Sequence, residues 1–190
     1  LIDVSLGYFS TPVTLLWLVG ITNAINLIDG LDGLATGILA IAFLSLFVYG
    51  IILGNSFVSF ISLGLAGSSL AFLIYNFYPA KIFLGDTGSL SLGFIVGCLA
   101  IYPSGIKNTA NSFLLPTAIV LSLPIIDTFF AIIRRTLKGQ NIFKGDASHI
   151  HHYCLKIGIS HPGTVKRFYL ATVILGVISI GVVYLCRCMQ

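Results

Sequence analysis

The chain has 190 residues, 57% of them hydrophobic and 8% charged, with a formal net charge of +4. Soluble domains carry about 25% charged residues, so this balance excludes an ordinary water-soluble fold and points to a protein that uses lipid as part of its solvent. Glutamate is absent, so all acidic chemistry rests on six aspartates.

Six apolar runs follow one another at 11–28, 34–54, 56–75, 88–102, 113–133 and 167–186. Each is near the ~20 residues that a helix needs to cross a hydrocarbon core, the fourth being the shortest. Backbone groups in lipid must be satisfied internally, and continuous rather than alternating apolarity rejects a barrel. The expected fold is therefore all-α: a polytopic integral membrane helical bundle of about six transmembrane helices. It forms a single domain over 1–190, with a cytoplasmic loop at 134–166. Leu1 opens the sequence and its only methionine is Met189. The expectation is the C-terminal part of a longer chain, without a cleavable signal peptide. Cys98, Cys154, Cys186 and Cys188 have no CxxC spacing and read as small hydrophobes.

Helix parity assigns each polar residue to a side. Lys81, Arg134, Arg135, Lys138, Lys144, Lys156, Lys166 and Arg167 gather on one side, against Lys107 and Arg187 on the other. The positive-inside rule makes the first side cytoplasmic. Asp29, Asp32, Asn76, Asp86, Asp127, Asp146 and all four histidines fall on it, and only Asp3 on the other. Polar groups in a membrane protein are costly, and their gathering at one face predicts a site there.

The first motif in chain order is NAINLIDGLDGLATG, residues 23–37. A spacing of three puts Asn23, Asn26 and Asp29 along one side of a helix. Gly30 and Gly33 then permit a tight turn, and Asp32 lies within it. Capping of the next helix explains one aspartate; two with two asparagines exceed what a cap needs.

The second is YNFYPAKIFLGDTGSLSLG, residues 75–93, where Asp86 stands in a Gly-x-x-Gly frame at a helix start. Free N–H groups there suit phosphate, and Mg²⁺ prefers one or two carboxylates beside phosphate oxygens. A plain N-cap is the alternative. The third is LPIIDTFFAIIRR, residues 123–135. Pro124 should kink the fifth helix, with Asp127 just beyond and Arg134 and Arg135 about two turns later. A structural ion pair of Asp127 is the other reading. The fourth, DASHIHHYC at 146–154, holds His149, His151 and His152. Zinc is one alternative, although its ligands usually come from two separated elements; a basic loop meeting anionic lipid heads is another.

Together these motifs resemble the polyprenyl-phosphate N-acetylhexosamine-1-phosphate transferases, the undecaprenyl-phosphate GlcNAc-1-phosphate transferase-like branch in particular. The resemblance runs from about residue 15 to 170. It implies transfer of a sugar 1-phosphate from a UDP-N-acetylhexosamine to undecaprenyl phosphate, with release of UMP, at the start of lipid-linked envelope glycan synthesis such as peptidoglycan, teichoic acid or lipopolysaccharide. It implies Mg²⁺, with Mn²⁺ as a substitute, held by Asp86. Asn26, Asp29 and Asp32 would line the nucleotide-sugar pocket with Asn23, and Asn76 and Phe83 would hold uridine. His149, His151 and His152 would contact the pyrophosphate, and Lys81, Asp127 and Arg134 would bind substrate. The implied setting is the inner (plasma) membrane, with the site facing the cytoplasm, a homodimer, and no nucleic-acid partner.

His149-Ile150-His151-His152 looks like the branch using simple UDP-N-acetylhexosamines and favours UDP-N-acetylglucosamine; muramoyl-pentapeptide phosphate is the alternative cargo. Departures are the lack of an Asp-Asp pair, fewer helices than the family carries, and Tyr153 where relatives place Arg. An inactive remnant lacking the upstream Asp-Asp motif and an ion-coupled transporter are the competing readings.

Overall fold

The computed structural model describes residues 7–102, 110–139 and 149–188. Asp3, Lys107, Lys144 and Asp146 lie outside the described residues. The chain forms eight α-helices among them: α1 (Ser10–Ile28), α2 (Leu34–Leu53), α3 (Ser56–Asn76), α4 (Gly85–Ile101), α5 (Ala110–Val120), α6 (Ser122–Leu137), α7 (Ile150–Lys156) and α8 (His161–Cys188).

All six apolar runs are helical. Helices α1, α2, α3 and α8 are long and apolar enough to cross a membrane, α5 and α6 together make a fifth candidate bent by 73°, and α4 is a shorter apolar helix. The protein is thus a polytopic helical membrane protein.

The bend follows from Pro124. Its ring cannot donate to the carbonyl four residues back and crowds it, so the helix parts at Leu121 and restarts with Pro124 in its first turn. There a missing N–H loses nothing. The backbone bonds from Leu121 N to Thr117 O and from Ile125 N to Leu121 O carry the chain through the corner.

Helix α2 is the central element: 61% of its most apolar stretch is buried, against 22% for α1 and for α3. Helix association in lipid relies on close packing rather than on expelling water. Helix α2 accordingly buries small residues, Ala35, Gly37, Ala40, Ala42 and Gly50, among Ile38, Phe43 and Leu46. A Cβ on Gly50 would stand 2.3 Å from Ser59 Oγ, which shows how closely α3 turns back on α2. That hairpin is closed by Gly54 at φ 70° and by Asn55, whose side chain accepts from Val58 N at 3.0 Å. Helices α1 and α4 are also bonded directly: Trp17 Nε1 donates to Gly97 O at 3.1 Å. On the far side of α2, the buried Tyr49 hydroxyl bonds Ser179 of α8 and Pro116 O of α5.

Helix α8 begins earlier than the apolar run beginning at 167. Ser160 caps it, its Oγ accepting from Gly163 N at 3.3 Å. Helix α7 and the first turn of α8 therefore occupy much of what reads in the sequence as a basic loop.

Candidate functional site

The end of α1, the starts of α2 and α4, the strap at 77–84, α7 and the start of α8 converge at one end of the bundle. Helix α1 stops at Ile28 because Asp29-Gly30 leaves helical geometry, and Gly33, at φ 78°, admits the turn into α2. L side chains rarely adopt that left-handed conformation.

Asn26, on the last turn of α1, points across to α4. Its Nδ2 donates to Asp86 Oδ1 at 3.0 Å and to Ser89 Oγ at 2.9 Å. Both amide hydrogens are thereby committed, and Asn26 orients the Asp86 carboxylate. Asp86 remains exposed in the first turn of α4. Asp29 sits close by: burial first, and then the charge of Asp86, push its carboxyl up to about 6. Two carboxylates within mutual electrostatic reach are a place for a cation. Oxygen donors alone suit Mg²⁺ or Mn²⁺, which keep waters and take one or two carboxylates. Asp86, with Asp29 beside it, fits that requirement. Among the described residues no group of three or more His, Cys, Asp or Glu converges on one point.

Asp32 is engaged in the fold. Its Oδ2 accepts from Ala80 N at 3.0 Å, and its backbone N–H donates to His161 Nε2 at 3.2 Å. Asn76 is buried, with its Oδ1 accepting from Thr36 Oγ1 at 2.8 Å and its Nδ2 donating to Ile82 O at 2.9 Å. Asn76 thereby ties the strap to α2. Phe83, 75% exposed, and Lys81 stand free on that strap. Asn23 is exposed and donates to Val19 O of its own helix at 2.8 Å, so it does not join Asn26. The reason is the helix period, which turns residues three apart by about a sixth of a circle.

The histidine motif is short helix α7, and Asp127 of α6 anchors it. Asp127 Oδ2 bonds His149 Nδ1 at 2.9 Å, and Oδ1 accepts from Ile150 N at 2.9 Å. Both partners are buried. Asp127 thereby ties α7 to α6. His149 stacks parallel to His151 with centroids 5.6 Å apart, and His152 lies 4.3 Å from His151. His151 is fully buried, and neither ring nitrogen has a partner among the described residues. Burial, followed by neighbouring His152, pushes its pKa down to about 4. It abuts the acidic turn directly: a Cβ on Gly30 would lie 2.4 Å from His151 Nε2. Only glycine lets the imidazole approach Asp29's neighbour so closely.

A cavity of about 510 Å³ lies between α6 and α7, walled by Phe130, Ile133, Leu137 and Ile150, with Asp127, Arg134 and Lys138 as its charged members. Asp127 links this cavity through His149 and His151 to the turn beside Asp86.

The sequence places His161 on the cytoplasmic side and in none of the motifs. The Ser160-His161-Pro162 helix start was the signal, since Ser caps and Pro favours a first turn.

Residues 1–104 match glycosyl transferase family 4. A probable undecaprenyl-phosphate N-acetylglucosaminyl 1-phosphate transferase of Bacillus subtilis is 47% identical over 175 residues, covering 92% of this chain and 49% of that protein. A decaprenyl-phosphate N-acetylglucosaminephosphotransferase of Mycolicibacterium smegmatis is 38% identical, over 90% of this chain and 46% of that protein. A phospho-N-acetylmuramoyl-pentapeptide-transferase of Prochlorococcus marinus is 39% identical, over 93% of this chain and 50% of that protein. The chain spans about half the length of the curated relatives it matches.

Proposed function

The chain belongs to glycosyl transferase family 4, and from that membership we propose that it serves transfer of N-acetylglucosamine 1-phosphate from UDP-N-acetylglucosamine to undecaprenyl phosphate in the plasma membrane, with the site facing the cytoplasm. A lipid phosphate oxygen attacks the sugar-bearing phosphorus of the nucleotide sugar, the bond from that phosphorus to the UMP oxygen breaks, and UMP leaves. The observation that carries this reading is the pairing of an exposed, oriented carboxylate (Asp86, held by Asn26) with a histidine helix packed on the adjoining turn at Gly30.

The nucleophile is already anionic, so the task is to bring two anions together and stabilise spread charge. Asp86 and Asp29 would hold Mg²⁺, or Mn²⁺ in its place, which when bound neutralises phosphate charge. Free N–H groups in the first turn of α4 face the same region and favour anions. His152, half-buried beside His151, offers a ring to the pyrophosphate. Phe83 and Lys81 on the open strap would meet the uracil base and the phosphates of the UDP-sugar. The α6–α7 cavity, with apolar walls and the cations Arg134 and Lys138, suits the phosphate end of a polyprenyl chain.

The test is UMP release by the full chain in nanodiscs, with undecaprenyl phosphate, Mg²⁺ and a panel of UDP-amino sugars. Lipid-dependent release with UDP-N-acetylglucosamine that EDTA stops is the expected result. No release with any sugar sinks the reading. Release only with the muramoyl-pentapeptide substrate moves the chain to that branch, whose Prochlorococcus member is similar over most of this chain.

A further inference from the structure

Two side chains of α8, neither of them in a motif named above, reach into the acidic turn. His161 Nε2 accepts the Asp32 N–H at 3.2 Å. Two turns on, the Tyr169 hydroxyl donates to Gly33 O at 2.5 Å. The adjoining glycines record how tightly the tyrosine is seated. A Cβ on Gly37 would stand 2.1 Å from Tyr169 Cζ, and one on Gly33 would stand 3.2 Å from its hydroxyl oxygen. His161 also stacks on Tyr78 of the strap, with centroids 4.7 Å apart. The strap in turn is tied to the turn by Ala80 N on Asp32 Oδ2.

Helix α8 therefore holds the 29–33 turn by one bond to a backbone donor and one to a backbone acceptor, on consecutive residues. Loops carry backbone groups that must be satisfied, and their conformation follows from where those bonds go. The turn carries Asp29, and the strap carries Phe83 and Lys81. Because Nε2 accepts, the His161 proton resides on Nδ1, a tautomer assigned from the bond.

We propose that His161 and Tyr169 are positioning residues: a clamp by which α8 holds the acidic turn and, through Asp32 and Tyr78, the 77–84 strap in the geometry that receives the nucleotide sugar. The kinetic part rests on the proposed transfer reaction; the clamp itself does not.

Two substitutions separate the bond from the stack. His161→Gln can still accept from Asp32 N through its amide oxygen. His161→Phe keeps a ring against Tyr78 but accepts nothing. In the full chain in nanodiscs, hydrogen exchange across residues 30–36 is expected to quicken in His161→Phe and to stay near wild type in His161→Gln. The Michaelis constant for the UDP-sugar is expected to rise about tenfold in His161→Phe, as for a misplaced positioning group, and to return most of the way in His161→Gln. A mere loss of folded protein lowers turnover without raising that constant. Tyr169→Phe removes only the hydroxyl and should quicken exchange over the same residues, which tests the clamp should His161→Phe fail to reach the membrane. Unchanged exchange in His161→Phe, or in Tyr169→Phe where it stands in, overturns the proposal, as does equal behaviour of the Phe and Gln variants. Exchange that follows the expected order in a protein with no turnover on any UDP-sugar would instead sink the transfer reading and leave the clamp standing.

Discussion

Asp86 and Asp127 are both aspartates on apolar helices at the same end of the bundle, and they do opposite things. Asp127 is buried and has a partner on each oxygen, His149 on one and Ile150 N on the other. Asp86 is exposed, and the one hydrogen bond to its carboxylate among the described residues comes from Asn26, which also donates to Ser89. A carboxylate whose lone pairs are taken from inside the fold holds structure together. A carboxylate that is oriented on one oxygen and open on the other is prepared for a ligand. The difference lies in the surroundings alone, since the two residues are chemically identical.

The sharpest way to break that contrast is to remove each charge in turn. Asp86→Asn keeps the size of the side chain and removes its charge. It should lower UMP release by the full chain by roughly 10²–10³, the scale of losing an electrostatic stabiliser at a reacting centre. Its melting temperature should stay at the wild-type value. Near wild-type turnover would remove Asp86 from the metal role.

Asp127→Ala should show the reverse balance. It leaves His149 Nδ1 and Ile150 N without their acceptor, and orphaning a buried partner costs about 1–3 kcal/mol. Thermal unfolding should therefore shift downward, with α7 exchanging faster than α1 or α4. A melting temperature equal to wild type would mean the His149–Asp127 contact does not hold α7.

Gly30→Ala probes the joint between the two regions. Its added methyl group would fall 2.4 Å from His151 Nε2, so the imidazole must move. Transfer should drop about tenfold or more for a displacement approaching 1 Å, with little change in membrane insertion. Full activity would detach the histidine helix from the acidic turn.

The smallest effect is in pH. His151 sits near a pKa of about 4, below its ordinary 6.5, chiefly because burial disfavours the charged ring. Below 6.5 the unfolded or undocked chain takes up a proton that the docked form refuses. The contribution of docked His151 is thus intact above pH 6.5 and is lost as pH falls through about 4. Exchange of α7 should quicken over that window in wild type, and the window should flatten in His151→Asn. An unaltered profile in that variant would assign the acid response elsewhere.

Much of the architecture was legible because lipid imposes simple demands. Apolar runs of the right length must be helices, and Pro124 marks where the fifth must bend. The short motif helix α7 and the first turn of α8 read as loop in the sequence because their apolar faces are too brief to register as periodic. Within the site, Asn26 and Asp86 could be named from spacing and sidedness. Asn23 and Asn76 could not be sorted from them, because rotation about a helix and the reach of a side chain to Val19 O or Thr36 depend on where neighbours lie. His161 and Tyr169 could not be found that way at all, since their partners are 129 and 136 residues earlier in the chain.

The sequence by itself determined the solvent, the helical class, the clustering of polar groups at one end and the family motifs. Each of these follows from residue type and local spacing. Only the tertiary structure decided which aspartate is open and which is satisfied, which asparagine crosses to another helix, and that α8 grips the acidic turn. Those outcomes depend on hydrogen bonds between residues far apart in the chain, and packing, rather than composition, brings such residues together.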